Sequence, residues 1–242
     1  MIKINNILSK FNIRVEKISK NQNLIDILNN LIKKLEINLI FDVGANEGQF
    51  AKKIIENGYR RKIISFEPLN NTYENLVLKS SKFENWKAEK LSLGSENKNS
   101  EINVSNYSLS SSILPISSKH LKAKKNSDYI SKQKTEIKKL DTYIYENKIA
   151  SDHSFLKIDT QGYEYNVLYG SLQNLKNFRI ILCELSFKEL YIGQKLWKDI
   201  INLLEKNNFE IWFLEKGFQS QENGQMLQAD CIFVNKSIIK NI

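Results

Sequence analysis

Apolar residues along this chain change their period several times, and each change predicts an element. Ile18, Leu24, Ile27, Leu28, Leu31, Ile32 and Leu35 recur at helical spacing with no Pro or Gly between them, so residues 1–36 read as a helical segment. It suits a lid, a packing helix or a homodimer contact. A mostly apolar run, Ile37–Val43, reads as the first strand, and Gln49–Ile55 as an amphipathic helix stopped by Asn57-Gly58. Lys62–Phe66 predicts strand two, with Pro68 opening a helix over 71–80. Trp86–Leu93 reads as strand three, and Glu101–Val104 as a short further strand. Ser154–Asp159 is a fourth main strand, followed by a helix through Leu172, and Arg179–Cys183 a fifth, followed by a helix over Gly193–Asn207. Phe209–Leu214 and Asp230–Val234 have no helix between them and should pair as a hairpin. Strands alternating with helices until that hairpin imply an α/β fold with a mostly parallel sheet and one antiparallel strand.

At 242 residues the chain can bury one substantial core. We read a 1–36 N-terminal segment followed by one domain over 37–242. The Ser-rich and Lys-rich stretch 105–134 reads as a mobile insert over the site. Net charge is +9, from 36 basic and 27 acidic residues, and the excess of Lys over Arg alongside abundant Asn and Ile reads as compositional bias. Lys119–Lys139, with eight Lys against Asp128 and Glu136, is the stretch most able to meet an anion. No apolar run reaches membrane-spanning length, and Met1–Lys20 lacks the continuous core of a signal peptide, so a cytoplasmic protein is expected. Cys183 and Cys231 sit inside apolar runs and read as buried thiols.

The chemistry gathers where strands end. Asp42, Glu67, Asp159 and Glu184 each close a predicted strand, and open parallel sheets bind ligands at that edge. Gly44-x-Asn46-x-Gly48 follows the first of them. The dinucleotide fingerprint wants a glycine where Gln49 stands, whereas a D-x-G-x-G-x-G pattern fits with Asn46 as its middle member. Asn tolerates left-handed backbone angles, which makes that exchange cheap. Glu67 lies nineteen residues beyond Gly48, where an acid can accept both hydroxyls of a ribose.

Three blocks together resemble a known family: Phe41-Asp42-Val43-Gly44-Ala45-Asn46-Glu47-Gly48, Phe66-Glu67-Pro68 and Lys157-Ile158-Asp159-Thr160-Gln161-Gly162-Tyr163-Glu164. They look like the signature blocks of the FkbM-family methyltransferases, and Leu168-Tyr169-Gly170-Ser171 and Ser110-Ser111-Ser112 also fit. The resemblance covers roughly residues 38–215. It implies S-adenosylmethionine as cofactor and a Rossmann-like seven-stranded, mostly parallel sheet with helices on both faces and an antiparallel last strand. It places Gly44, Ala45, Asn46 and Gly48 around the methionine half of the cofactor and Glu67 on its ribose. Adenine is then expected near Pro68, Leu69, Ser92 and Leu93. The family usually shows Glu where this chain has Gln161.

From the residues themselves, Asp42 is expected to hold the glycine loop or to bind the cofactor amino group through water. Asp159 is the first candidate base for an acceptor hydroxyl, with Gln161 and Glu184 as further catalytic candidates. Asp159 and Glu184 are also the pair that would ligate magnesium if a metal lowered the hydroxyl pKa, the lesser of the two routes. Tyr163 and Tyr191 could stack on a sugar; His120 could reach the pocket from the insert, while His153 lies at the wrong end of its strand. The expected activity is O-methylation of a small hydroxylated acceptor, most plausibly a sugar of a surface glycan or glycolipid, the sugar resting on the resemblance. An RNA ribose methyltransferase and a catalytically silent cofactor-binding module are the alternatives. Base methylation is disfavoured, because no [D/N]-P-P-[Y/F] turn follows strand four and Cys183 sits inside a strand.

Overall fold

The computed structural model describes residues 23–241. Its strands in chain order are β1 (Leu39–Val43), β2 (Lys62–Phe66), β3 (Trp86–Glu89), β4 (Ser92–Leu93), β5 (Lys98–Ser105), β6 (Tyr129–Lys138), β7 (Ser154–Ile158), β8 (Phe178–Ser186), β9 (Phe209–Lys216) and β10 (Gln228–Asn235). Its helices are α1 (Leu24–Lys34), α2 (Gln49–Glu56), α3 (Asn70–Ser80), α4 (Ser118–Ala123), α5 (Leu140–Glu146), α6 (Glu164–Tyr169) and α7 (Trp197–Lys206). Seven strands form the main sheet in the order β3-β2-β1-β7-β8-β10-β9. Every pairing is parallel except those of β10, which runs antiparallel to both β8 and β9. The expected hairpin is therefore present, with β10 the antiparallel strand inserted between its two neighbours.

β1 and β7 are buried at every position, as central strands covered on both faces must be. Side chains alternate between two cores. Leu39, Phe41 and Val43 join Leu140, Val167 and Leu204 from α5, α6 and α7 on one face. Ile40 joins Leu28, Ile54 and Leu76 from α1, α2 and α3 on the other. α1 is a packing helix: Asn23 caps it by accepting from the Asp26 amide, and Leu24, Leu28, Leu31 and Ile32 are buried against the chain's own core. That apolar face is thus used within the chain; residues 1–22 of the expected helical segment lie outside the described residues.

Several predicted boundaries move for identifiable reasons. Strand three breaks in two: β3 pairs with β2, whereas β4 leaves the main sheet to pair with β6. The expected insert carries regular structure, because β5 and β6 form a long antiparallel ladder and complete a three-stranded second sheet, β4-β6-β5. Pro68 precedes the first turn of α3, whose N-cap is Leu69. α7 begins at Trp197 rather than Gly193, since Gln194 folds back to accept from the Leu190 and Tyr191 amides and Gly193 is left-handed. α6 stops at Tyr169, and its C-cap Gly170 lies so close to Gly94 that a Cβ would come 1.9 Å from the Gly94 carbonyl oxygen. Among the described residues, no helix is long and apolar enough to cross a membrane.

Candidate active site

The glycine turn after β1 is fixed by close backbone approach. Gly44 has φ +71°, and a Cβ there would lie 1.8 Å from the Asp159 carbonyl oxygen, so no other residue fits. The Gly44 and Ala45 amides both donate to the Phe66 carbonyl, at 3.1 and 3.0 Å, which ties the turn to the end of β2. Asn46 takes the left-handed angle expected of it, φ 48°. Its amide donates to Glu67 Oε2 at 2.9 Å, while the Leu69 amide donates to Oε1 at 2.9 Å. One buried carboxylate thus holds both turns. Burial pushes the Glu67 carboxyl up to about 7, against the pull of those amides and of Lys157.

Above these turns opens a cleft of about 640 Å³, counted with its open mouth, between the carboxyl edge of the main sheet and the second sheet. Gly44, Asn46, Glu67, Pro68, Leu69, Ser92, Leu93, Asp159 and Gln161 all line it. Ala45 and Gly48 do not: Ala45 packs into the core, and Gly48 lies against the Trp86 ring. The opposite wall is made by Ile102 and by Ser108, Leu109, Ser111 and Ile113 of the insert; Ile102, Leu109, Ile113, Thr160 and Leu91 are the lining residues that sequence reasoning missed. The Ser-rich composition of 105–118 was the available signal. Gln133 clasps the two sheets by donating from Nε2 to the Pro68 carbonyl and accepting from the Asn70 amide at Oε1.

Asp42 is buried behind the turn, outside the cleft, where Trp86 Nε1 donates to Ser65 Oγ and Ser65 Oγ donates to Asp42 Oδ2. Its other oxygen is 3.1 Å from the Lys157 ammonium, which also donates to the Gly44 carbonyl at 2.9 Å. Asp42 therefore holds the loop through Lys157, the first of the two roles open to it. Burial works against the Lys157 charge, but Asp42 and Asp159 outweigh it and raise its pKa. A lysine within the otherwise apolar Phe155–Ile158 run was the signal for this pair, since a charge there needs a partner.

Asp159 stands where β7 ends, with Oδ2 3.9 Å from Lys157 Nζ. Gln161, left-handed at φ 55°, donates from Nε2 to Asp159 Oδ1 at 2.8 Å. The fully buried Tyr191 hydroxyl donates to Gln161 Oε1 at 2.9 Å, and burial raises its pKa, so it stays a donor. The serine stretch straps the same turn: Ser112 Oγ donates to the Gln161 carbonyl at 2.6 Å, and the Ser110 carbonyl lies 3.3 Å from the Tyr191 hydroxyl. From below, Glu164 Oε1 accepts from the Thr160 and Gly162 amides, with its carboxyl lifted to about 7 by burial.

Glu184 lies outside the cleft lining, with Gln228 Nε2 donating to its Oε2. It pairs in register with Asp230, which faces Glu215 on β9, while Asp159 follows Ile158, the partner of Cys183. Asp159, Glu184, Asp230 and Glu215 therefore stand side by side across four strand ends. Burial, then Asp159 and its acidic neighbours, push Glu184 well above the usual carboxylate range and Asp230 up to about 6. Among the described residues, no three His, Cys, Asp or Glu side chains converge as a metal site.

Of the remaining candidates, Tyr163 lines the cleft, whereas Tyr191 sits behind Gln161 and presents no face to a ligand. His120 is buried between Tyr191 and Phe218, its Nε2 3.2 Å from Ser110 Oγ and its pKa lowered to about 4 by burial. It buttresses the strap rather than lining the cleft. His153 lies at the far edge of the sheet, its carbonyl accepting from the Asn38 amide before β7 begins. Both cysteines are buried and free.

A seven-stranded sheet in this order, with one antiparallel strand and a cleft over the carboxyl ends of β1, β2 and β7, is the Rossmann-like fold of S-adenosylmethionine-dependent methyltransferases. The chain belongs to the FkbM methyltransferase family: the Methyltransferase FkbM domain matches residues 42–211. No curated protein matches in sequence. Similar solved structures include Aeropyrum pernix fibrillarin with natively bound S-adenosylmethionine, at 12% identity and TM-score 0.48 over 86% of this chain and 74% of that one. An rRNA methylase from Streptococcus thermophilus aligns at 9% identity and TM-score 0.47, over 90% and 99%. A precorrin-6y C5,15-methyltransferase from Geobacter metallireducens aligns at 8% and 0.46, over 90% and 92%.

Proposed function

We propose that the protein transfers a methyl group from S-adenosylmethionine to a hydroxyl of a small acceptor, a sugar of a surface glycan or glycolipid. The observation that carries this reading is Asp159, fixed at the cleft wall beside the glycine turn. The cleft's donor set suits the cofactor. Each Glu67 oxygen accepts one amide and keeps a second acceptor position free, which together match the two ribose hydroxyls. Leu69, Leu91 and Leu93 supply apolar surface for a base, and Gly44 and Asn46 border the methionine half.

When bound, S-adenosylmethionine supplies a methyl group already activated by the sulfonium charge. What remains for the protein is to hold the acceptor oxygen in line and to accept its proton. Asp159 takes that proton, and Gln161 fixes the carboxylate that receives it.

The surroundings of Asp159 favour a neutral polyol over RNA. The cleft lining holds two carboxylates, Glu67 and Asp159, and no Lys or Arg, so a phosphodiester placed there meets no basic track. Lysines that suggested nucleic acid are partly engaged within the second sheet, where Lys132 pairs with Glu101 and Lys138 with Glu136 and Glu146. The glycan acceptor itself rests on family resemblance.

The test is to incubate the protein with methyl-labelled S-adenosylmethionine and separate glycan and RNA fractions from the same cells. Label in the glycan fraction, recovered as an O-methyl sugar after hydrolysis, is the expected result. Label in RNA overturns the acceptor class.

A further inference from the structure

Asp159 is held by a half-buried amide that a fully buried phenol holds in turn, a chain that nothing in the general account of methyl transfer requires. Gln161 gives one amide hydrogen to Asp159 Oδ1 at 2.8 Å, and its own carbonyl oxygen receives the Tyr191 hydroxyl at 2.9 Å. Tyr191 is fully buried and packed against Gly162, where a Cβ would come 2.9 Å from its ring. The loop that carries it is locked to the insert, since the Ser117 amide donates to the Leu190 carbonyl and the Ile192 amide to the Pro115 carbonyl, at 2.9 and 2.8 Å. The phenol donates to Gln161 Oε1 and the carboxylate of Asp159 accepts from Nε2, so between them the amide is held with its nitrogen toward Asp159.

A glutamate at position 161 would behave differently. In the same pose it would still accept from Tyr191, but its second oxygen would face Asp159 Oδ1 with no hydrogen to give. Two carboxylate oxygens that close coexist only by sharing a proton. Gln161 is also where this chain departs from the residue usual in its family.

We infer that Gln161 and Tyr191 are positioning residues that hold a hydrogen-bond donor against Asp159 Oδ1, where a glutamate at 161 would create a proton-sharing pair. The inference rests on the reading of Asp159 as the proton acceptor. The Lys157 ammonium lies 3.9 Å from the other oxygen, Oδ2.

The test follows the Asp159 carboxyl carbon by NMR in protein labelled with carbon-13 aspartate, the resonance being assigned by its loss in Asp159→Asn. In Gln161→Glu its titration midpoint should rise by about one pH unit or more relative to the parent chain. Tyr191→Phe should give a smaller rise, because the amide is then free to turn. S-adenosylmethionine titration of each variant shows whether the cleft is intact. A midpoint unchanged in Gln161→Glu overturns the inference. If that variant does not fold, an unchanged midpoint in Tyr191→Phe overturns it. The underlying reading fails separately, by Asp159→Asn retaining methyl transfer to the glycan fraction.

Discussion

The two halves of this site are built in different ways. The half assigned to the cofactor is made of backbone: Gly44, Asn46 and the β2 end lie within one strand–turn–helix–strand unit, and Glu67 joins their amides directly. The half around Asp159 is made of side chains from distant segments, with Ser112, Tyr191 and Lys157 all converging on one turn. Substitution in the first half should alter cofactor binding and folding together. Substitution in the second should alter chemistry with the cofactor still bound.

The largest effect is expected at Gly44. Gly44→Ala drives a methyl into the Asp159 carbonyl at a left-handed position, for a cost of about 3 kcal/mol or more. Gly58, also left-handed but facing open space, should lose only about 1 kcal/mol on the same change. Melting curves should then separate the two by roughly 4–8 °C, and equal losses would deny the close approach its importance.

Next comes Glu67→Gln, which removes the charge that organises both turns. S-adenosylmethionine affinity by calorimetry should fall roughly 10- to 100-fold, as for loss of a charge-assisted hydrogen bond. An undiminished affinity would break the proposed assignment of the cleft.

Ser112→Ala is the matching change in the other half. It removes a buried donor from the Gln161 carbonyl, for about 1–2 kcal/mol of stability, and should leave cofactor affinity within about threefold. A parallel loss of affinity would mean that the halves are not separable in this way.

The smallest effect is on pH. Glu67 and Glu164 both have folded-state pKa values raised to about 7 from 4.5, so the folded chain binds protons more tightly than the unfolded one across that window. Their contribution to stability is greatest at the acid end and declines as pH rises from about 4.5 to about 7. Without cofactor, the melting temperature should therefore fall over that range, and less steeply in Glu164→Gln; identical slopes would show that Glu164 does not contribute.

This contrast also explains what could be read from the chain. The glycine turn, Glu67 and the terminal hairpin were legible because each is a local spacing or a local run. Asn46 in the left-handed region followed from its place in that spacing alone. Gln161 and Tyr191 lie thirty residues apart, and their hydrogen bond depends on how the loop after β8 docks on the insert. Nothing in either segment announces that contact. Glu184 shows the limit of reading strand ends: it does close the apolar part of its strand, yet Gln228 on β10 engages it and it does not line the cleft. Lys157 sits in a strand whose other residues all read as core, so only its charge signals a buried partner. The break between β3 and β4 was hidden because both halves are good strand sequence, and only pairing with β6 separates them.

The most direct test puts both halves in one preparation. Asp159→Asn should bind S-adenosylmethionine within about threefold of the parent chain, a difference below 1 kcal/mol. Its methyl transfer to the glycan fraction should drop at least about a hundredfold, the usual scale for removing a positioned base. Retained transfer, or loss of binding and transfer together, would contradict a site divided between a backbone cradle for the cofactor and a clamped carboxylate for the proton.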